Sequence, residues 1–207
     1  MRNAIFVAAV VAAAGSAQAG LANQLANAGF EMAPNYDGND VGNWAAFFGG
    51  ADFQQVEIVD QPFAGDFSLQ IGTFNTPNTF AGATQRVAVQ GGLESTFSFY
   101  ARSVVANGAL YEYRIEWRDA AGDFIGDQFA LNTALNATTD WEQYGVTAVA
   151  PANAEFASVV IAVQTFGGSA PHEGFSQFDN ASFTQVPAPA GAALLGLAGF
   201  AARRRRG

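Results

Sequence analysis

The chain contains no cysteine and no lysine, and only one histidine in 207 residues. Without cysteine there is no disulfide staple, no thiolate nucleophile and no thiolate metal ligand. Stability must then come from a packed core, from backbone pairing and from a metal if one is bound. Without lysine, Schiff-base chemistry is excluded. The lone His172 follows Gly168-Ser169-Ala170-Pro171, where Ser169 lacks the Gly-x-Ser-x-Gly elbow, so it reads as a loop histidine and not as a general base. One histidine and no thiol also disfavour a zinc site. Basic charge is scarce as well. Five of the nine arginines, Arg2 and Arg203 to Arg206, sit at the chain ends, leaving four arginines against eighteen carboxylates between them, a formal charge of −14. Such a domain repels phosphate backbones and anionic lipid, which excludes nucleic acid as a partner and leaves calcium and neutral sugars.

What the ends do contain is ordered. Residues 1–19 carry one positive charge at Arg2, an uninterrupted apolar run over 4–14 and the small-x-small sequence Ala17-Gln18-Ala19. This is the pattern of a secretory signal helix, with cleavage by signal peptidase expected between Ala19 and Gly20. At the other end, Val186-Pro187-Ala188-Pro189-Ala190 leads into an apolar stretch that stops at Arg203-Arg204-Arg205-Arg206-Gly207. As a helix, residues 188–202 would span roughly 22 Å against a hydrocarbon core of ~30 Å, short for a permanent anchor. The arginine cluster belongs on the cytoplasmic side and the preceding domain outside, in agreement with the signal segment.

The whole arrangement of residues 186–207 resembles a PEP-CTERM sorting tail in its Val-Pro-x-Pro-Ala form, with Ala188 in place of the usual glutamate. The resemblance implies cleavage by a membrane-embedded exosortase near Pro187 to Pro189, and delivery of the domain to the cell surface or extracellular polysaccharide. A simple membrane anchor is the plainer alternative.

Residues 20–185 form one domain, large enough to bury a core unaided. Its periodicity is close to two. Residues 96–102 and 110–118 alternate, and further strands are expected over 54–59, 68–74, 83–90, 128–131, 142–148, 158–164 and 176–184, separated by Gly, Asn, Asp and Pro. No amphipathic helix is visible between residues 20 and 186. The expected fold is all-β, a two-sheet antiparallel jelly-roll sandwich flanked by the N-terminal signal helix and the short C-terminal apolar helix.

The order of landmarks resembles the galactose-binding-domain-like carbohydrate-binding modules. Asn27-Ala28-Gly29-Phe30-Glu31 is similar to their opening strand, and Trp44 and the turn Gly65-Asp66-Phe67-Ser68-Leu69 follow. Next come Gln85-Arg86-Val87, the strand into Arg102, Ile115-Glu116-Trp117-Arg118-Asp119 with Gly122, Trp141, Ala150-Pro151 and the closing Phe178-Asp179-Asn180. The family usually closes on two aspartates where this chain has Asp179-Asn180. The resemblance implies that Trp44, Trp117 and Trp141 are largely buried. It also implies a structural Ca²⁺ where the first and last strands meet, held by Glu31 and Asp179 with the Gly65 carbonyl. The alternative is that both carboxylates only accept backbone hydrogen bonds. No cofactor is required. The acidic loop Asp37-Gly38-Asn39-Asp40 lacks an EF-hand's twelfth-position glutamate, which here is Phe48, and reads as a turn.

On the strand over 110–118, Tyr111, Tyr113, Ile115 and Trp117 should face the core. Glu112, Arg114, Glu116 and Arg118 then share the outer face, joined by Tyr100 and Arg102 if the two alternating strands pair. This polar face is the candidate ligand surface, though an alternating-charge face on a strand is more often merely solvated. Glu112 and Glu116 lie four strand rises apart, roughly 13 Å, too far for a glycosidase pair at about 5–9.5 Å. No catalytic residue is assigned. Three functions compete: a non-catalytic domain binding exopolysaccharide at the cell surface or in a biofilm matrix, a purely structural or adhesive coat protein, and, ranking third, a glycan-processing enzyme.

Overall fold

The computed structural model describes residues 22–32, 41–50, 54–73, 78–106, 110–133, 139–165 and 174–186. The signal segment with Ala17, Ala19 and Gly20, the tail residues Pro187, Ala188, Pro189 and Arg203 to Arg206, His172 and the 37–40 loop lie outside that set.

The described residues form ten strands: β1 (Ala45–Gly49), β2 (Gln54–Val59), β3 (Ser68–Thr73), β4 (Phe80–Ala88), β5 (Glu94–Ala106), β6 (Leu110–Arg118), β7 (Phe124–Thr133), β8 (Glu142–Val149), β9 (Phe156–Gln164) and β10 (Gly174–Gln185). They build two five-stranded sheets, sheet A in the order β1-β4-β9-β6-β7 and sheet B in the order β2-β3-β10-β5-β8. Every pairing is antiparallel. Only β2–β3 and β6–β7 are hairpins between successive strands; the other connections cross between sheets, as a jelly roll requires. The expected all-β sandwich is what the described residues form.

Local chemistry explains the strand limits. In β6 burial alternates residue by residue, with Tyr111, Tyr113, Ile115 and Trp117 all inside. The strand ends at Asp119, whose carboxylate accepts the amides of Ala121 and Asp123, while Gly122 at φ +86° closes the turn into β7. β9 is different: Val159, Ile161 and Val163 face the core, yet Val160 and Ala162 on its other side are only 2% exposed. A central strand of small and β-branched residues disappears beneath longer side chains on both neighbours.

The core joins both inner faces. Phe97, Phe99, Phe178 and Phe183 from sheet B meet Tyr111, Ile115 and Ile161 from sheet A, all fully buried. Burial of each aromatic or branched side chain contributes about 1.5–3 kcal/mol.

Three expectations need correction. The segment 27–31 is a turn, not an opening strand: Asn27 and Phe30 have φ of +46° and +57°, and the Phe30 amide donates to the Asn27 carbonyl. It still runs beside the last strand, because the amides of Gln24 and Ala181 donate to Phe183 and Ala28. Second, β5 and β6 do not pair; they lie in different sheets. Third, Trp44 and Trp117 are buried, but Trp141, at the start of β8, is partly exposed.

Candidate functional site

The outer face of sheet A is assembled by register. One row runs Phe47, Gly82, Ala162, Glu112 across β1, β4, β9 and β6. The next runs Ala45, Thr84, Val160, Arg114, Phe129, ending on β7. A third runs Arg86, Ser158, Glu116, Asp127. The middle of the face is therefore floored by glycine, alanine, valine and serine, while larger groups stand on either side.

On the β1–β4 side, the Phe47 and Phe80 rings sit 6.0 Å apart at 50°. Each covers a glycine on the neighbouring strand. A Cβ on Gly82 would lie 2.3 Å from Phe47 Cζ, and one on Gly49 would lie 2.1 Å from Phe80 Cζ. On the β6 side, Arg114 is ion-paired with Glu112 and, at 2.8 Å, with Glu116; Arg118 meets the other Glu116 oxygen at 2.8 Å. Phe129 and Phe124 stand farther out on β7, 45% and 55% exposed. Between the phenylalanine pair and the ion-pair ladder lies a shallow groove of ≈ 190 Å³, lined by Phe47, Phe80, Glu112, Arg114 and Ala162. Its chemistry is mixed: flat aromatic wall, small-residue floor and a charge-neutral row of acceptors and donors.

The sequence placed Glu112, Arg114 and Glu116 together, and the structure does so. Tyr100 and Arg102, expected beside them, project instead from the outer face of sheet B. There the Tyr100 ring stacks on Phe63 at 3.8 Å and 11°, and the Arg102 guanidinium lies 5.0 Å from the Trp141 ring centre. Phe47 escaped sequence reasoning because nothing marked β1 as a strand, and Phe80 because the strand expected over 83–90 began short of the first residues of β4. The available signal was Gly82 within an apolar strand, which announces a close approach by a neighbour.

Glu31, Asp179 and Gly65 also converge, at the loop joining β2 to β3. Asp179 is fully buried; its Oδ2 accepts the amides of Phe63 (2.8 Å) and Ala64 (3.0 Å), and its Oδ1 accepts that of Asn180 (2.5 Å). Glu31 accepts the amides of Asp66 at 2.9 Å and Phe67 at 3.4 Å. Gly65, at φ +83°, leaves room for Glu31: a Cβ there would lie 2.0 Å from Glu31 Oε1. Burial pushes the Asp179 carboxyl above its ordinary range against the three amide hydrogen bonds, and the Glu31 carboxylate pushes it the same way. Among the described residues no arginine pairs with either group. The four carboxylate oxygens hold more acceptor positions than these amides occupy, and a hard cation here would need backbone oxygens as further ligands. No group of three or more His, Cys, Asp or Glu side chains is gathered anywhere among the described residues, this pair included.

Solved structures with this architecture are informative about the fold. The module TmCBM61, solved with β-1,4-galactotriose, superposes with a TM-score of 0.55 at 12% identity, over 80% of this chain and 99% of that one. The chain shares that module's jelly-roll fold. The CBM22-1 xylan-binding domain of Xyn10C from Paenibacillus barcinonensis shares that carbohydrate-binding-module fold at a TM-score of 0.51 and 18% identity, over 78% of this chain and 93% of that domain. The enzymatically active domain of tailspike protein 4 from bacteriophage CBA120 matches at 0.58 and 16%, over 79% of this chain, which corresponds to only 21% of that larger chain. No family model matches the sequence, and no curated protein matches it.

Proposed function

We propose that the protein is an exported surface or matrix component whose sandwich binds carbohydrate, without catalysis, on the outer face of sheet A. The observation that carries this reading is the Phe47–Phe80 groove. A pyranose ring has an apolar face that packs on an aromatic ring and a rim of hydroxyls that hydrogen-bond to charged side chains, and the groove offers both within ≈ 190 Å³. The volume suits a single sugar ring better than a large ligand, since drug-sized sites begin at about 300 Å³. Glu112 and Glu116 are both engaged by Arg114, an arrangement that supports orientation of hydroxyls rather than proton transfer.

Export and sorting form part of the same proposal: signal peptidase acts after Ala19, and an exosortase cuts the tail near Pro187 to Pro189. A Ca²⁺ ion held by Glu31 and Asp179 would fasten the β2–β3 loop; when bound it supplies structural cross-linking and no chemistry. A structural coat protein is the second reading, favoured by the ladder Glu112-Arg114-Glu116-Arg118, which satisfies its own charges.

The test is binding of the full-length chain to xylan, β-1,4-galactan and the polysaccharide of its own cell. Saturable binding is expected, and binding at the sheet A groove should weaken at least ~10-fold in Phe47→Ala or Arg114→Ala, equivalent to about 1.4 kcal/mol. No binding to any of the three by a folded protein would move the assignment to the coat reading. Sorting is checked separately by the mature mass with and without the exosortase: an unshortened tail in both strains removes that part.

A further inference from the structure

We propose a second glycan platform on the outer face of sheet B, made by Phe63, Tyr100, Arg102 and Trp141, which makes the sandwich bivalent and able to bridge two polysaccharide chains. The inference rests on the reading of the sheet A groove as a glycan site. Phe63 is 40% exposed although it lies in a loop whose backbone is tied down. Tyr100 covers one face of its ring at 3.8 Å, and Trp141 meets it edge-on at 5.9 Å, so the exposed area is on the side away from Tyr100. The ring is held by its stack on Tyr100, on a backbone whose Phe63 amide is fixed by the buried Asp179 at 2.8 Å. A pre-positioned aromatic open to solvent loses little freedom on binding a ligand.

Polar groups stand beside it. Arg102 Nε donates to Gln177 Oε1 at 2.7 Å and an Arg102 Nη donates to Gln61 Oε1 at 3.3 Å. Gln177 in turn donates to Gln61 and Gln70, both at 3.1 Å, and Gln70 donates to Glu57 at 2.8 Å. Among the described residues Arg102 has no carboxylate partner, in contrast to Arg114 and Arg118 on the opposite face. Its remaining donors border a groove of ≈ 200 Å³ shared with Gln61. The groove is lined by Gln61, Arg102, Ser103, Val104 and Thr139, and the Phe63–Trp141 aromatics stand beside it, linked through Arg102 over the Trp141 ring; ring, guanidinium and amide side by side match a neutral pyranose. The two platforms face opposite directions across a sandwich whose sheets are ~10 Å apart, so chains on both faces do not collide.

The experiment compares wild type with Phe47→Ala, Phe63→Ala and the double variant, using xylan and β-1,4-galactan together with their short oligosaccharides. Wild type should bind two oligosaccharides per chain by calorimetry and precipitate the soluble polysaccharide. Each single variant should bind one and no longer precipitate it, and the double variant should bind none. Trp44 and Trp117 are buried, so a ligand-induced change in tryptophan emission reports Trp141. That change should persist in Phe47→Ala and vanish in Phe63→Ala. Arg102→Gln, which keeps the backbone and ring stack, should behave as Phe63→Ala does and guards against misfolding of the loop. A single site abolished by Phe47→Ala, with no change in emission, overturns the second platform and leaves the first standing. No binding by wild type overturns both.

Discussion

Asp179→Ala should destabilise the domain by about 2–4 kcal/mol, because the amides of Phe63 and Ala64 lose a charged acceptor in a buried place and have no replacement. For a domain of this size the melting temperature should fall by about 10 °C, measurable by calorimetry. The loss is also expected to free Phe63 from Tyr100. Asp179→Asn should cost less, since an amide oxygen can still accept, although its NH₂ then faces the Asn180 amide now bound at 2.5 Å.

The same residue sets a pH dependence whose sign is unusual for a carboxylate in a hydrogen-bonded pocket. Its folded pKa lies above the ordinary value of 3.8, chiefly through burial. The folded state therefore holds the proton more tightly than the unfolded chain, and this group's contribution to stability falls as pH rises from 3.8 through the raised value. The difference in stability between wild type and Asp179→Asn should follow that slope and flatten above it. Millimolar Ca²⁺ at neutral pH should reverse the penalty by stabilising the ionised form, adding about 2.7 kcal/mol at a hundredfold excess over Kd. The gain should shrink as Asp179 takes up its proton. A melting temperature indifferent to Ca²⁺ and chelator at neutral pH would remove the cation and leave the hydrogen-bonded clip.

Gly82→Val should abolish the sheet A groove and destabilise the fold together. A side chain at this position meets Phe47 Cζ at 2.3 Å and the Ile161 carbonyl oxygen at 2.6 Å, the first movable and the second fixed in the β4–β9 ladder. Overpacking of this kind costs about 1–3 kcal/mol, and displacement of Phe47 should weaken binding at the sheet A groove at least ~10-fold. Adding Phe47→Ala removes the movable half of the clash. The double variant should therefore be less destabilised than the two single effects added together, while the sheet A site stays lost. Strict additivity, measured by urea denaturation, would show that Phe47 does not rest on Gly82.

Much of this architecture is legible in residue patterns. The limits of β2 and β6 coincide with the strands expected over 54–59 and 110–118, the second marked by alternation because a half-buried strand must place every second side chain in the core. Alternation also put Glu112, Arg114 and Glu116 on one outer face. It did not mark β1, where Ala45-Ala46-Phe47-Phe48-Gly49 has no two-residue period and most of its positions are partly exposed. That edge strand exists through its pairing with β4.

The sequence by itself determined the all-β class and the inward set of β6, and its lack of cysteine and lysine excluded thiol and Schiff-base chemistry. Each of these follows from composition or from a local period, whereas the meeting of Glu31, Gly65 and Asp179 was what the family resemblance implied. Only the tertiary structure decided which strands are neighbours. It separated Tyr100 and Arg102 from the β6 ladder by sending β5 and β6 to different sheets. It drew Phe47 and Phe80 over two glycines and brought Arg102 onto Trp141. Periodicity specifies the face to which a side chain points, but adjacency on that face is set by long-range pairing between strands far apart in the chain, and no local pattern encodes it.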